Sequence, residues 1–306
     1  LHVLCSVPAS SSYFNKILQA AGRIIGFISF LCLEAQRKGM VILMQVKFKW
    51  LALSLVFVFA LTTIIGCGGG SATPGPADGQ NQAPAVEQLV MGTNAEFPPF
   101  EFLNENNEYD GFDIDLAKEI AAILGKELVI QDMAFDALIP ALQADRLDMV
   151  VAAMTIREDR REQVAFTEPY FNAGQVVVVR ADNQDIQGVE DLAEGRKIGV
   201  QLGTTGDFKA QEITASENII RFQQIGLVFE ELATNRIDAI IIDVPVAERY
   251  TQVREGFKIV GETLTEEFFG IAINKNNPEL LADVNGALAE IKASGKYDEL
   301  ISKWFE

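Results

Sequence analysis

The chain has 306 residues, 49% hydrophobic and 22% charged, with 25 Lys and Arg against 43 Asp and Glu. Such a length and balance describe one large or two modest globular domains, and the formal charge of −18 argues against a nucleic-acid binder, which needs a basic stripe. The only histidine is His2 and the cysteines are Cys5, Cys32 and Cys67, so a His-dependent triad, a Cys nucleophile, a Cys/His zinc site and an internal disulfide are excluded from residue 68 onward.

Residues 1–43 precede a convincing start at Met44 and read as a mis-assigned coding start, unstructured. From Met44, Lys47 and Lys49 give a basic n-region and Trp50 to Ile65 an apolar core, short for a membrane span and suited to a signal peptide over 44–66. The run ends in "IIGC", which resembles a bacterial lipobox and implies cleavage before Cys67 and lipidation of that cysteine. The following "GGGSATPGPADGQNQAPA" is rich in Gly, Pro, Ser and Ala, and residues 67–86 are expected to be a flexible tether. The folded part is therefore expected outside the cytoplasmic membrane, lipid-anchored to it.

From Leu89 strands and helices alternate. "QLVMGT" and "ELVIQDM" read as buried strands. Between them "FDIDLAKEIAAILG" puts Ile114, Ala117, Ile120, Ala121 and Leu124 on one helical face, with Gly125 as the stop. "FDALIPALQA" predicts a helix with Asp136 as a plausible N-cap. "LDMVVAAM" is a buried strand, "QVVVV" another, and "KIGVQLGTTGDF" reads strand, Gly/Thr loop, helix start. "VPVAERYTQVR" predicts a helix, "FKIVG" and "FFGIAIN" strands, and "PELLADVNGALAEIKASG" and "KYDELISKWF" two amphipathic helices. The alternation predicts an α/β fold.

One unit occurs twice. "LIPALQADRLDMVVAAMT" begins at Leu138 and "VFEELATNRIDAIIIDVP" at Val228; both run helix, turn, Arg, apolar, Asp, apolar strand, so Arg146 and Asp148 correspond to Arg236 and Asp238. Two similarly built lobes follow from this. Ligands of open α/β sheets sit beyond the carboxyl ends of the strands. Facing lobes would present Thr155 and Arg160 from one side and Asp243 from the other, a cation and a carboxylate suited to a zwitterion.

Nearly all of Leu89 to Phe305 resembles the polar-amino-acid group of bacterial extracellular solute-binding proteins, the receptors of ABC importers. The resembling segments are "GTNAEFPPFEF", "GFDIDLAKEIA", "FDALIPALQ", "MTIREDRREQVAFTEPY", "IGVQLGTTGD", "RIDAIIID" and "GKYDELISKWF". The resemblance implies an α/β two-lobed periplasmic-binding-protein-like (type II) fold. Each lobe would be a mixed sheet flanked by helices, lobe 1 over 87–174 and 268–306 and lobe 2 over 175–267, with the ligand cleft between them. It also implies hinge crossings near Tyr170–Gln175 and Glu266–Gly270, a monomer without cofactor, and two partners: an amino acid ligand and a membrane permease with its ATPase.

Carried over by position, Arg160 would clamp the ligand α-carboxylate, aided by Thr155 and backbone N–H groups around Thr205. Asp243 would take the α-ammonium, with the Thr155 hydroxyl and the Ala153 carbonyl completing three acceptors. Phe97 and Phe135 would sandwich the ligand side chain; Asn94, Asp113, Gln201 and Ile242 occupy places that could tune selectivity. Plainer readings stand beside these. "REDRREQ" alone reads as a solvated helix face, Asp243 as a helix cap, the phenylalanines as core, "GTTG" as a turn, and Asp113 as helix-capping. Glutamine receptors of the family carry basic or imidazole groups where Gln201 and Ile242 stand here, so a basic amino acid (arginine, lysine or histidine) is favoured, against an Asn94 where basic-ligand receptors commonly have aspartate. Glutamine or another neutral polar amino acid is the alternative. A cyclohexadienyl-dehydratase-like enzyme with Glu96 as general acid, or a ligand-sensing module, are alternatives of another class.

Overall fold

The computed structural model describes residues 86–306, Glu194 excepted. The expected signal peptide, Cys67 and tether lie outside the described residues. Strand β1 (Gln88–Thr93) leads to a ribbon of β2 (Glu96–Phe97), β3 (Glu101–Leu103) and β4 (Tyr109–Asp110). Then come α1 (Phe112–Ile123), β5 (Glu127–Asp132), a 3₁₀ turn (Phe135–Ala137), α2 (Leu138–Gln143), β6 (Met149–Val150), α3 (Glu158–Arg161), β7 (Ala165–Phe166) and β8 (Phe171–Ala173). The next elements are β9 (Gln175–Arg180), β10 (Ile198–Gln201), α4 (Thr205–Ile213), β11 (Ile219–Phe222), α5 (Ile225–Ala233), β12 (Ala239–Asp243), α6 (Val244–Val253) and β13 (Phe257–Val260). Strands β14 (Glu267–Phe269) and β15 (Ala272–Ile273) and helices α7 (Pro278–Ala293) and α8 (Lys296–Phe305) follow.

These make two five-stranded sheets, one per lobe, in the orders β5-β1-β6-β15-β7 and β11-β10-β12-β9-β13. In each, three neighbouring strands run parallel, the fourth runs against them, and the fifth, antiparallel to the fourth, restores the first direction. The central strands are buried on both faces, which is why "LDMVV" and "AIIID" read as continuous apolar runs rather than alternating ones. Helix α1 buries Ile114, Ala117, Ile120 and Ala121 as its periodicity predicts, and stops at left-handed Gly125, φ 64°.

The repeated unit is repeated in detail. Asp148 Oδ2 accepts from Val90 N at 2.7 Å while Asp148 N donates to Val90 O at 2.8 Å. Asp238 makes the same pair with Lys197, both at 2.8 Å. The preceding turns hold Asp145 and Asn235 in the left-handed region, φ 52° and 59°, which short polar side chains tolerate. A side chain at Gly92 would strike Leu147, and one at Gly199 would strike Ile237, so the same close approach recurs in both sheets.

The chain passes between the two sheets after β7 and again after β13, and on these two passages β8 and β14 pair with each other as an antiparallel ribbon. Its Phe171 and Phe269 pack edge-on to Phe100, with centroids 4.9 and 5.2 Å apart, and Phe305 of α8 closes the cluster at 5.3 Å. Such pairs add about 0.5–1.5 kcal/mol each beyond burial, so the ribbon is rooted firmly in the first lobe.

Candidate functional site

The carboxyl ends of β1, β6, β10 and β12 converge on one pocket. It is lined by Asn94, Phe97, Phe135, Ala153, Thr155, Arg160, Gln201, Thr205 and Asp243, nine of the eleven ligand-contact candidates raised from sequence, together with Glu101, Ala152 and Thr204. It is narrow, with about 290 Å³ of empty space among these side chains, the open solvent at its mouth included. The lobes touch across it. Arg160 Nη2 donates to Gly203 O at 3.1 Å, Gln201 Nε2 to Asn94 Oδ1 at 2.7 Å, and Gln224 to Glu96.

Arg160 is buried although it lies in a dense charged run; Arg161, its neighbour, is exposed. Helix α3 is a single turn, which points one arginine inward and the next to water. Its Nη1 donates to Thr155 O at 2.7 Å, and the Phe135 ring lies 5.3 Å from its guanidinium. Among the described residues no carboxylate forms an ion pair with Arg160. A guanidinium has five N–H donors, so two carbonyls leave most of its capacity for a planar anion. Burial brings its pKa down to about 10, so it stays charged at neutral pH.

Asp243 ends β12 at the N-cap position of α6, yet its side chain makes no capping bond. Its Oδ1 is buried without a hydrogen-bond partner among the described residues. Burial, then the nearby Glu267 charge, push its pKa up to about 8, with Gln175 and Arg160 pulling the other way. A carboxylate so placed gains most from a cation that brings its own donors. Thr155 Oγ1 donates at 2.8 Å to Glu267, which also accepts from Thr265 Oγ1. With its proton committed, the Thr155 hydroxyl offers lone pairs, as an ammonium requires.

The second lobe adds a helix start. Thr204 caps α4, its side chain accepting from Asp207 N, and Gly206 lets the helix seat against β12, where a side chain would meet Ile241 O at 2.6 Å. The free N–H groups of such a start favour an anion. Asn94 and Gln201 end corresponding strands of the two lobes. Gln201 Nε2 donates to Asn94 Oδ1 and to Gln223 O at 3.0 Å, so its amide donors are spent and Oε1 remains an acceptor.

Four sequence readings are corrected. Asp113 makes no capping bond for α1; it is buried, outside the pocket lining, with Oδ2 accepting from Ala153 N at 2.7 Å and from Tyr170 Oη at 2.8 Å. Asp136 does not cap a helix, because the chain forms a 3₁₀ turn there and α2 starts after Ala137. Ile242 faces the core, and Glu96 is tied to Gln224 at the rim; neither lines the pocket. Sequence reasoning missed Glu101. A glutamate between two phenylalanines in "PFEF" was the available signal, and the pairing of Phe97 with Glu101 across β2 and β3 turns it inward. Glu267 carried no signal, since it meets Thr155 across 112 positions.

The profile of bacterial extracellular solute-binding proteins, family 3, matches residues 89–306. The chain belongs to that family. This family-3 protein is 34% identical over 228 residues to ABC transporter arginine-binding protein 1 of Escherichia coli (strain K12), covering 73% of this chain and 93% of that one. It is 30% identical over 268 residues to the ABC transporter glutamine-binding protein GlnH of Bacillus subtilis (strain 168), covering 84% and 97%. An ancestral arginine-binding protein, solved bound to arginine, superposes with a TM-score of 0.68 at 46% identity over 72% of this chain and 98% of that one. An ancestral arginine-binding protein solved bound to glutamine gives 0.69 at 46% identity, over 71% and 97%. The fold is thus that of type II periplasmic binding proteins, and the protein is an extracytoplasmic amino acid-binding component of an ABC transporter, not an enzyme.

Proposed function

We propose that this receptor binds an L-amino acid with a cationic side chain, arginine or lysine above histidine, and delivers it to its permease by lobe closure. The observation that carries this is the charge inventory of the pocket. Arg160 is its one cation, and Asp243 and Glu101 are its two carboxyl groups. A basic amino acid brings the complement, one carboxylate and two cations. Arg160 takes the α-carboxylate, with the start of α4 at Thr205. Asp243, the Thr155 hydroxyl and the Ala153 carbonyl take the α-ammonium. Phe97 and Phe135 flank the side chain, a cation over an aromatic face gaining about 0.5–2 kcal/mol. Glu101 and the Gln201 carbonyl receive its donors, with Asn94 holding Gln201 in place. Glutamine, the neutral rival, brings no cation for the Glu101 carboxyl to meet.

Each lobe alone supplies half of these contacts, so ligand favours the closed arrangement. The bending falls on β8 and β14, and the receptor acts as a monomer. Lipid on Cys67 keeps it beside the permease, and diacylation is needed because one chain anchors weakly.

Calorimetric titration of the purified protein with the twenty amino acids tests the ligand. Arginine and lysine should bind; binding of none would overturn the receptor reading, and glutamine alone would replace the basic class by the neutral one. Fatty-acid labelling of cells carrying Cys67→Ser tests the anchor: label that persists on the variant excludes Cys67 as its site.

A further inference from the structure

Behind the pocket wall lies a carboxyl pair. Glu101, on β3, is buried and lines the pocket; Asp113, on α1, is buried behind it, its N donating at 2.9 Å to the carbonyl of Phe100, the residue beside Glu101, so that the two carboxyls meet. Asp113 Oδ2 is saturated by Ala153 N and Tyr170 Oη. That leaves Asp113 Oδ1 and Glu101 Oε2, both buried without a donor among the described residues. Two carboxylate oxygens cannot satisfy each other, but one proton between them satisfies both.

We infer that Asp113, outside the pocket, is a positioning residue that shares one proton with Glu101, so that a cationic side chain entering the pocket expels that proton while a neutral one leaves it. The inference rests on the basic-ligand reading above. Burial pushes the Glu101 carboxyl well above its usual range and brings Asp113 up to about 6, which keeps a proton on the pair near neutrality. The charges facing the pair agree. Asp132 on β5 and Asp243 on β12 repel a second negative charge at Glu101, and the phenol of Tyr297 on α8 lies near Asp113. Among the described residues no lysine or arginine hydrogen-bonds to either group. The ligand's own cation is therefore what replaces the proton, and Asp113 sets how readily Glu101 gives it up. Its bond to Ala153, whose φ is 44°, also fixes the strand end beside the ammonium site.

Asp243 must also lose a proton for any α-amino acid, so the test compares two ligands that share that step. Arginine and its neutral urea isostere citrulline are titrated into the full chain in buffers of unlike protonation enthalpy. Arginine should release up to about one proton more than citrulline. Its affinity should gain on that of citrulline by up to about tenfold per pH unit near neutrality. In Asp113→Asn the amide keeps the Ala153 and Tyr170 bonds through Oδ1 and donates to Glu101 through Nδ2. The excess proton and the relative pH slope should then vanish. Equal proton release by the two ligands, or an excess that survives in Asp113→Asn, overturns the inference. Should citrulline not bind, the arginine pH slopes of the two proteins are compared, and identical slopes overturn it. Absence of arginine binding at every pH sinks the ligand reading itself.

Discussion

At the end of β6 the first lobe turns aside through left-handed Ala153, passes Thr155, and reaches Arg160 from a single helical turn. At the end of β12 the second lobe runs without a break from Asp243 into the ten-residue helix α6. Up to those points the lobes match: Asp148 and Asp238 make the same reciprocal bonds, and Gly92 and Gly199 the same close approach. The shared part of the unit builds the frame, and the few residues after the strand decide the charge. The long arginine needs a loop to bring its guanidinium back over the strand end. The short aspartate needs none.

That contrast can be broken at either side. Arg160→Ala should be the most damaging change, a loss of about 4 kcal/mol or roughly a thousandfold in affinity for every amino acid alike; a loss confined to some ligands, read by calorimetry, would contradict its assignment to the backbone carboxylate. Asp243→Asn should cost less, roughly a hundredfold, because the amide oxygen still accepts one bond. The same carboxyl gives a pH signature. An ammonium favours the ionised form, so binding expels the proton, and affinity should be full above about pH 8 and fall with acidification. In Asp243→Asn the part of this slope common to all ligands should disappear.

The frame itself is tested by removing the matched pair one at a time. Asp148→Ala and Asp238→Ala should each lower stability by about 1–2 kcal/mol, measured by denaturant midpoints. A large effect in one lobe and none in the other would show that the repeat is only superficial. The smallest effect is expected outside the pocket. Arg157 of the first lobe lies over the Phe208 ring of the second, 3.7 Å from its centroid. Arg157→Ala should weaken all ligands two- to fivefold, about 0.5–1 kcal/mol, through faster dissociation. A ligand-selective change there would instead place Arg157 in contact with ligand.

Much of this was legible in the sequence because it lies in order along the chain. Apolar runs, a Gly stop and an Arg–x–Asp repeat are local, and the family resemblance carried the pocket residues from Asn94 to Asp243. What escaped depends on pairing across distance. Asp113 and Asp136 sit where helix caps commonly sit, and only packing shows that one serves Ala153 and the other occupies a 3₁₀ turn. Glu101 reads as one more hairpin residue until Phe97 lies opposite, and Glu267 reaches Thr155 only because β14 returns beside the first sheet.

That return has a consequence for synthesis. The second sheet uses strands between Gln175 and Val260 alone, whereas the first needs β15, between β6 and β7, to be complete. As the chain leaves the ribosome, the second lobe has all its strands before the first does. The usual order, earlier domain first, is inverted. The first sheet stays open, with β6 and β7 unjoined, until residues 272–273 emerge.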